Sequence, residues 1–231
     1  MAVKLVEVTR GRVVESISRG DVAVVDSEGQ LVYQAGDPYK YTYMRSAAKP
    51  LQAMNVILSG AAGHYGFSLK EMAVMCASHY GEPAHRHTVQ SILQKIGLTR
   101  DHLLGGTVTS LNKDYALQLA GEGVELDPLF SDCSGKHAGM LAVCQYQGHS
   151  INDYPSPGHP VQRQLLRMIA DICRYSESEV AVGVDGCSVP VHALPLYNMA
   201  LGYARMANPG YLPEDKRRAA DHIFEAMNRH P

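Results

Sequence analysis

Residues 44–50 read Met44-Arg45-Ser46-Ala47-Ala48-Lys49-Pro50, and the periodicity of the chain changes across them. On the N-terminal side, "VKLVEV", "VVESIS", "VAVVDS" and "LVYQAG" are short valine-rich runs punctuated by Gly11, Gly20 and Glu28-Gly29. That pattern predicts a meander of β-hairpins over residues 1–43. On the C-terminal side apolar residues recur at helical spacing. "KPLQAMNVILSG" predicts a helix ending near Gly60, and "SLKEMAVMCAS" opens with Ser68 and Glu71 at capping-box spacing. "EPAHRHTVQSILQKIG" carries Pro83 in its first turn and Gly97 as its stop. Helices are also predicted in "GKHAGMLAVCQYQG", "HPVQRQLLRMIADICRYS", "VHALPLYNMALGYARMA" and "EDKRRAADHIFEAMNRH", and strands in "DHLLGGTVTS" and "EVAVGVDG". Strands first, helices next and a late return to strand imply an α+β fold, with an antiparallel sheet packed with helices. Residues 1–231 read as one domain, helical and mixed from residue 44 onward. The sequence ends at His230-Pro231 directly after a helix, so further strands are expected beyond it.

The same seven residues carry chemistry. Ser46 and Lys49 are three apart, so on a helix their side chains share a face. Pro50 is tolerated only in a first turn, which places the helix start near Ser46. A helix N-terminus favours a developing alkoxide and disfavours an ammonium. Ser46 with Lys49 therefore reads as a nucleophile and its base. The bland alternative is a surface serine beside a solvated lysine, and this spacing alone is common.

Three further stretches stand out. In "CASHYGEPAHRH", residues 76–87, Ser78 falls between two predicted helices, where a hydroxyl is accessible. Glu82 and His85 have the spacing of a metal site or a hydrogen-bonded pair, against the plainer reading of a polar turn. In "DCSGKHAGML", residues 132–141, Cys133 lies in a polar loop, and Ser134-Gly135 would let a ligand approach a helix N-terminus. In "VDGCSVP", residues 184–190, Asp185 and Cys187 follow a β-branched strand. Two loop thiolates could share a soft metal such as zinc, given further ligands. Cys76, Cys144 and Cys173 fall on apolar helix faces and read as core.

Composition excludes some classes. The 231 residues carry 21 basic and 23 acidic side chains, a formal charge of -2 without the basic stripe that nucleic acid requires. No apolar run is long enough to cross a membrane. The opening "MAVKLVEVTR" lacks a signal-peptide core, and five irregularly spaced cysteines do not form a disulfide framework. A cytoplasmic location is expected.

"RSAAKPLQA", "ASHYGEPAHRH", "CSGKHAGML" and "GVDGCSVPVHALPL" occur here in one order. Together they resemble the bacterial asparaginase II family, the type similar to rhizobial thermolabile asparaginase. The likeness runs from "VTRG" at residue 8 to the closing "MNRHP". It implies a serine β-lactamase-like or glutaminase-like fold, and an amidohydrolase acting on L-asparagine, with a homodimer plausible. It implies that Ser46 and Lys49 form a first catalytic serine–lysine pair and that Ser78 is a second catalytic serine. It implies that Cys133, Lys136 and Cys187 form a metal site for zinc, and that Arg45, His137 and Asp185 contact substrate. Two stretches depart from the family pattern. "ESIS" at residues 15–18 lacks a usual histidine, and "LGGTVTSLN" stands where a cysteine- and histidine-bearing stretch is usual. The resemblance also implies a continuation bearing a lysine that would partner Ser78. The rival expectations are a glutaminase or β-lactam-type serine acylase, and a truncated, inactive protein that binds an amino acid or metal.

Overall fold

The computed structural model describes all residues from Met1 to Pro231. Five short strands precede the first helix: β1 (Val3–Arg10), β2 (Val13–Gly20), β3 (Val22–Val25), β4 (Leu31–Ala35) and β5 (Tyr41–Tyr43). The expected meander of hairpins takes the form of two hairpins that do not pair with each other. β1 pairs only with β2 and β3 only with β4, both antiparallel. Period-two alternation marks a strand but not its partner, so the break between the hairpins was invisible in sequence.

β5 leaves the hairpins and joins two later strands, β6 (Ala181–Val184) and β7 (Pro190–Pro195), in the order β5-β7-β6. Tyr43 pairs with Ala193, and Gly183 with Val191. Here the structure corrects the reading of residues 191–207 as one helix. The first part is the central strand β7, and only Leu196–Ala207 is helical (α8). β7 is flanked by partners on both edges and is buried from Pro190 to Leu194. Such a strand shows a continuous apolar run rather than alternation. The strand expected in "DHLLGGTVTS" is also absent. Residues 103–110 are loop, turning at Gly106 with φ +72°.

The helical layer comprises α1 (Lys49–Leu58), α2 (Ala61–Tyr65), α3 (Leu69–Cys76), α4 (Pro83–Lys95), α5 (Lys113–Gly121), α6 (Ser134–Gln147), α7 (Pro160–Ile172), α8 and α9 (Glu214–Arg229). The predicted signals act as read. Ser68 and Glu71 close a capping box on α3, Pro83 opens α4, and Gly148 ends α6 at φ +68°. α6 is buried at every residue from Ser134 to Cys144 and forms the axis of a core of 44 residues. Helices α1, α3, α4 and α7 pack around it. The approach of α3 needs a glycine, because a Cβ on Gly135 would lie 2.3 Å from the Val74 carbonyl oxygen. α9 is amphipathic and lays Ala219, Ala220, Ile223 and Ala226 against α1, α3 and α8. No helix is long and apolar enough to cross a membrane. The α+β class and the small antiparallel sheets follow directly from these elements.

The consequence for function is positional. The start of α1, the α3–α4 loop, the start of α6 and the β6–β7 loop all meet at one end of α6.

Candidate active site

The strand-to-helix switch is a 3-10 turn over Arg45–Ala48 that runs into α1 at Lys49, with Pro50 in the first turn. Lys49 is only 1 % exposed. Its Nζ reaches the Ala77 carbonyl at 3.0 Å, the Asp132 carbonyl at 3.2 Å and Ser78 Oγ at 2.6 Å. Ser78 Oγ in turn lies 2.8 Å from Ser46 Oγ. Lys49 therefore makes its side-chain contact with Ser78, and no hydrogen bond joins it to Ser46. The sequence spacing had paired Ser46 and Lys49 directly; in the fold Ser78 stands between them.

This geometry is chemically specific. Two backbone carbonyls hold two N–H bonds of the amine, and the remaining tetrahedral position faces Ser78. A hydroxyl both donates and accepts and rotates to suit. With Lys49 as an ammonium, hydrogen bonds run from Lys49 to Ser78 to Ser46. With Lys49 as an amine, both hydroxyls turn, and the line can carry a proton from Ser46 to Lys49.

Ser46 opens into a cleft of about 200 Å³ lined by Arg45, Asp132, Cys133, Asp185 and Cys187. Arg45 Nη2 lies 3.0 Å from Asp185 Oδ1, so the two residues expected to contact substrate hold each other here. Asp132, which the sequence reading passed over, is central. Its Oδ2 lies 3.7 Å from Lys49 Nζ and accepts from the Cys133 thiol at 3.6 Å. Its place directly before Cys133 was the one available signal.

At the cleft wall, Cys133, Lys136 and Cys187 lie together. Lys136 Nζ donates to Cys187 Sγ at 3.1 Å. The two thiols lie close enough that a hydrogen bond between them pushes Cys133 up and Cys187 down, with the Lys136 charge also favouring the Cys187 thiolate. No group of three His, Cys, Asp or Glu side chains has metal-holding geometry anywhere in the chain. The cluster becomes a three-donor set only by counting the lysine nitrogen. Glu82 and His85 do not form a pair: Glu82 accepts from Asn112 at 3.0 Å, and His85 stacks on His79.

His137 is fully buried, and burial pushes it down. The Leu104 N–H donates to the Tyr154 hydroxyl at 2.8 Å, so Tyr154 donates onward to His137 Nδ1 at 2.6 Å. That leaves the His137 proton on Nε2, outside strict hydrogen-bond geometry but close enough to the Cys187 sulfur to favour its thiolate. Nε2 faces Gly105 in the cleft wall, where a Cβ would come within 2.9 Å of it. His137, expected to contact substrate, thus lies behind the Gly105 wall and not among the residues that line the cleft.

The L-asparaginase II family model matches residues 6–231. The chain belongs to the L-asparaginase II family. No curated protein matches the chain. Membership in the L-asparaginase II family supports an asparagine-hydrolysing amidohydrolase in general terms, and the cleft is where its residues of reactive type gather.

A second histidine shapes the acid response of this region. The Gly81 N–H donates to His79 Nδ1 at 3.0 Å, so Nε2 carries the proton and donates to Ser134 at 2.8 Å. Burial, reinforced by His85 and Lys49, pushes His79 down to about 4. An unfolded histidine titrates near 6.5, so between roughly pH 6.5 and 4 the unfolded chain binds the extra proton and stability falls with acid. His79 alone accounts for about 3 kcal/mol across that window. His192 is shifted to the same value by burial and Lys136. Melting curves from pH 7 to 4 should show a steep loss of thermal midpoint below about pH 6.5. A flat profile would mean that these imidazoles take up their protons in the folded protein as readily as in the unfolded chain.

Proposed function

We propose that the chain hydrolyses the side-chain amide of L-asparagine to L-aspartate and ammonia through an acyl-enzyme on Ser46. The observation that supports this reading is the line Lys49–Ser78–Ser46, 2.6 and 2.8 Å per step, ending in a cleft lined by the Arg45 cation and the Asp132 and Asp185 carboxylates, of which Asp185 pairs with Arg45. A free α-amino acid offers the matching charges. Its carboxylate would take Arg45 and its ammonium Asp185, replacing the pair those residues make with each other. The side-chain amide would then project toward Ser46.

Ser46 Oγ attacks the amide carbon. Its proton passes to Ser78 as the Ser78 proton passes to the Lys49 amine. Backbone N–H groups of the cleft wall take the oxyanion. The proton returns through Ser78 to the amide nitrogen, the C–N bond breaks and ammonia leaves. Water then enters the same position and attacks the acyl carbon, giving its proton along the same line to Lys49. That proton returns through Ser78 to the Ser46 oxygen as the acyl C–O bond breaks and aspartate leaves. Asp132 lies close enough to steady the Lys49 cation formed in each half-reaction. Cys133, Lys136 and Cys187 would hold a zinc ion if Lys136 serves as a neutral donor. Bound there, the ion would neutralise the thiolates and tie the loop before α6 to the β6–β7 loop.

The test is ammonia and aspartate release from L-asparagine by the purified chain, with L-glutamine and a penicillin as competitors. Equal yields of aspartate and ammonia are expected. Preference over glutamine should be about 10- to 100-fold, the usual discrimination of one methylene. Absence of ammonia from asparagine would overturn the assignment, and acylation by the penicillin alone would replace it.

A further inference from the structure

The turn that carries Ser46 is held in an unusual way. Arg45 has φ +51°, in the left-handed region that favours glycine, and is one of three non-glycine residues there. A side chain in that region costs roughly 1 kcal/mol, and surrounding structure must enforce it. Packing does not do so here, because Arg45, Ser46 and Ala47 are all exposed. Polar ties do. On the N-terminal side, the Met44 N–H donates to the His192 carbonyl of β7 at 3.0 Å. At Arg45, the guanidinium meets Asp185. On the C-terminal side, the Tyr203 hydroxyl donates to the Ala47 carbonyl.

Only the Tyr203 tie comes from α8, which otherwise has no place in the cleft. The ring of Tyr203 packs against the core. Burial pushes its phenol up, so it remains a donor at every working pH. Its hydroxyl is fixed at one residue's distance from the attacking oxygen. Without it, the Ala47 carbonyl loses its side-chain partner, and the strained turn keeps the Met44 and Arg45 ties, the Ala47 N–H to the Met44 carbonyl at 3.1 Å and the Lys49 N–H to the Ser46 carbonyl.

We propose that Tyr203 is a positioning residue for the nucleophile: its hydroxyl clamps the Arg45–Ala47 turn so that Ser46 Oγ stays within hydrogen-bond reach of Ser78. This inference rests on the reading of Ser46 as the attacking group. Tyr203 touches neither substrate nor the proton line, so its effect should be geometric. Displacement of a reacting group by about 1 Å costs on the order of 100-fold in rate, and such a loss falls on kcat when ground-state binding is untouched.

The test is Tyr203→Phe, which keeps the ring and its packing. Steady-state kinetics on L-asparagine should show kcat lowered about 10- to 100-fold with KM within about twofold of the parent. Crystal structures of parent and variant should show the Ser46–Ser78 oxygen separation increased beyond hydrogen-bond distance and Arg45 relaxed from its positive φ. An unchanged kcat overturns the proposal. So does a loss carried by KM, or a lowered kcat with the oxygen separation unchanged. If the parent enzyme releases no ammonia from asparagine, the functional reading falls separately. The paired crystal structures then decide the clamp without any activity.

Discussion

Replacing Ser46 with alanine should lower ammonia release from L-asparagine by at least about a thousandfold, because Ser46 Oγ is the oxygen that forms the acyl bond in the proposed reaction. The side chain is exposed and makes one hydrogen bond, to Ser78. Its removal should therefore move stability by less than about 0.5 kcal/mol. Ser78→Ala is the informative companion. Ser78 joins the amine to the nucleophile, so its loss breaks proton transfer but leaves the attacking oxygen in place. General-base catalysis of this kind is worth about 10²- to 10⁴-fold, and a water in the vacated space would restore part of it. Initial rates should thus rank parent, Ser78→Ala, Ser46→Ala in falling order. Mass spectrometry of the intact protein during turnover should find an aspartyl adduct on the parent and on Ser78→Ala, and none on Ser46→Ala. An adduct on Ser46→Ala with none on Ser78→Ala would make Ser78 the nucleophile and reverse the proton line.

Local signals in the sequence carried much of the fold. Capping boxes, prolines in first turns and glycines at helix ends act over three or four residues, and Ser68–Glu71, Pro83 and Gly148 operate where they were read. The failures share one cause. Whether 190–195 is strand or helix depends on β5 and β6, which flank it from distant parts of the chain. The two hairpins at the start likewise differ from a meander only in what they fail to pair with. The site shows the same division. The residue types were legible one stretch at a time, and their order pointed to the family. Their mutual geometry was not. Ser46 and Lys49 were paired because they are three apart, yet the amine bonds to Ser78, which lies 29 residues further on. Asp132 was hidden beside a more conspicuous cysteine. Nothing in the sequence around Tyr203 marks it, because its importance comes entirely from the carbonyl it meets.

Lys49 bears on both catalysis and stability. Lys49→Met keeps the buried stem and removes the amine. Turnover is expected to fall by about 10²- to 10⁴-fold, the range for a lost general base. Stability should fall as well. The Ala77 and Asp132 carbonyls lose their partner, at about 1–3 kcal/mol for each group left unsatisfied. The melting transition should therefore drop by several degrees or more, corresponding to about 2–6 kcal/mol. A base can also be told from a mere cation. Lys49→Ala leaves a space at the inner end of the proton line, where a small primary amine can sit. Added methylamine or ethylamine should restore turnover in proportion to its concentration, and more so at alkaline pH, where the free amine predominates. Guanidinium at equal concentration supplies the charge but cannot accept a proton. Rescue by guanidinium as effective as rescue by the amines would mean that Lys49 acts through its charge, and that the proton of Ser46 leaves by another route.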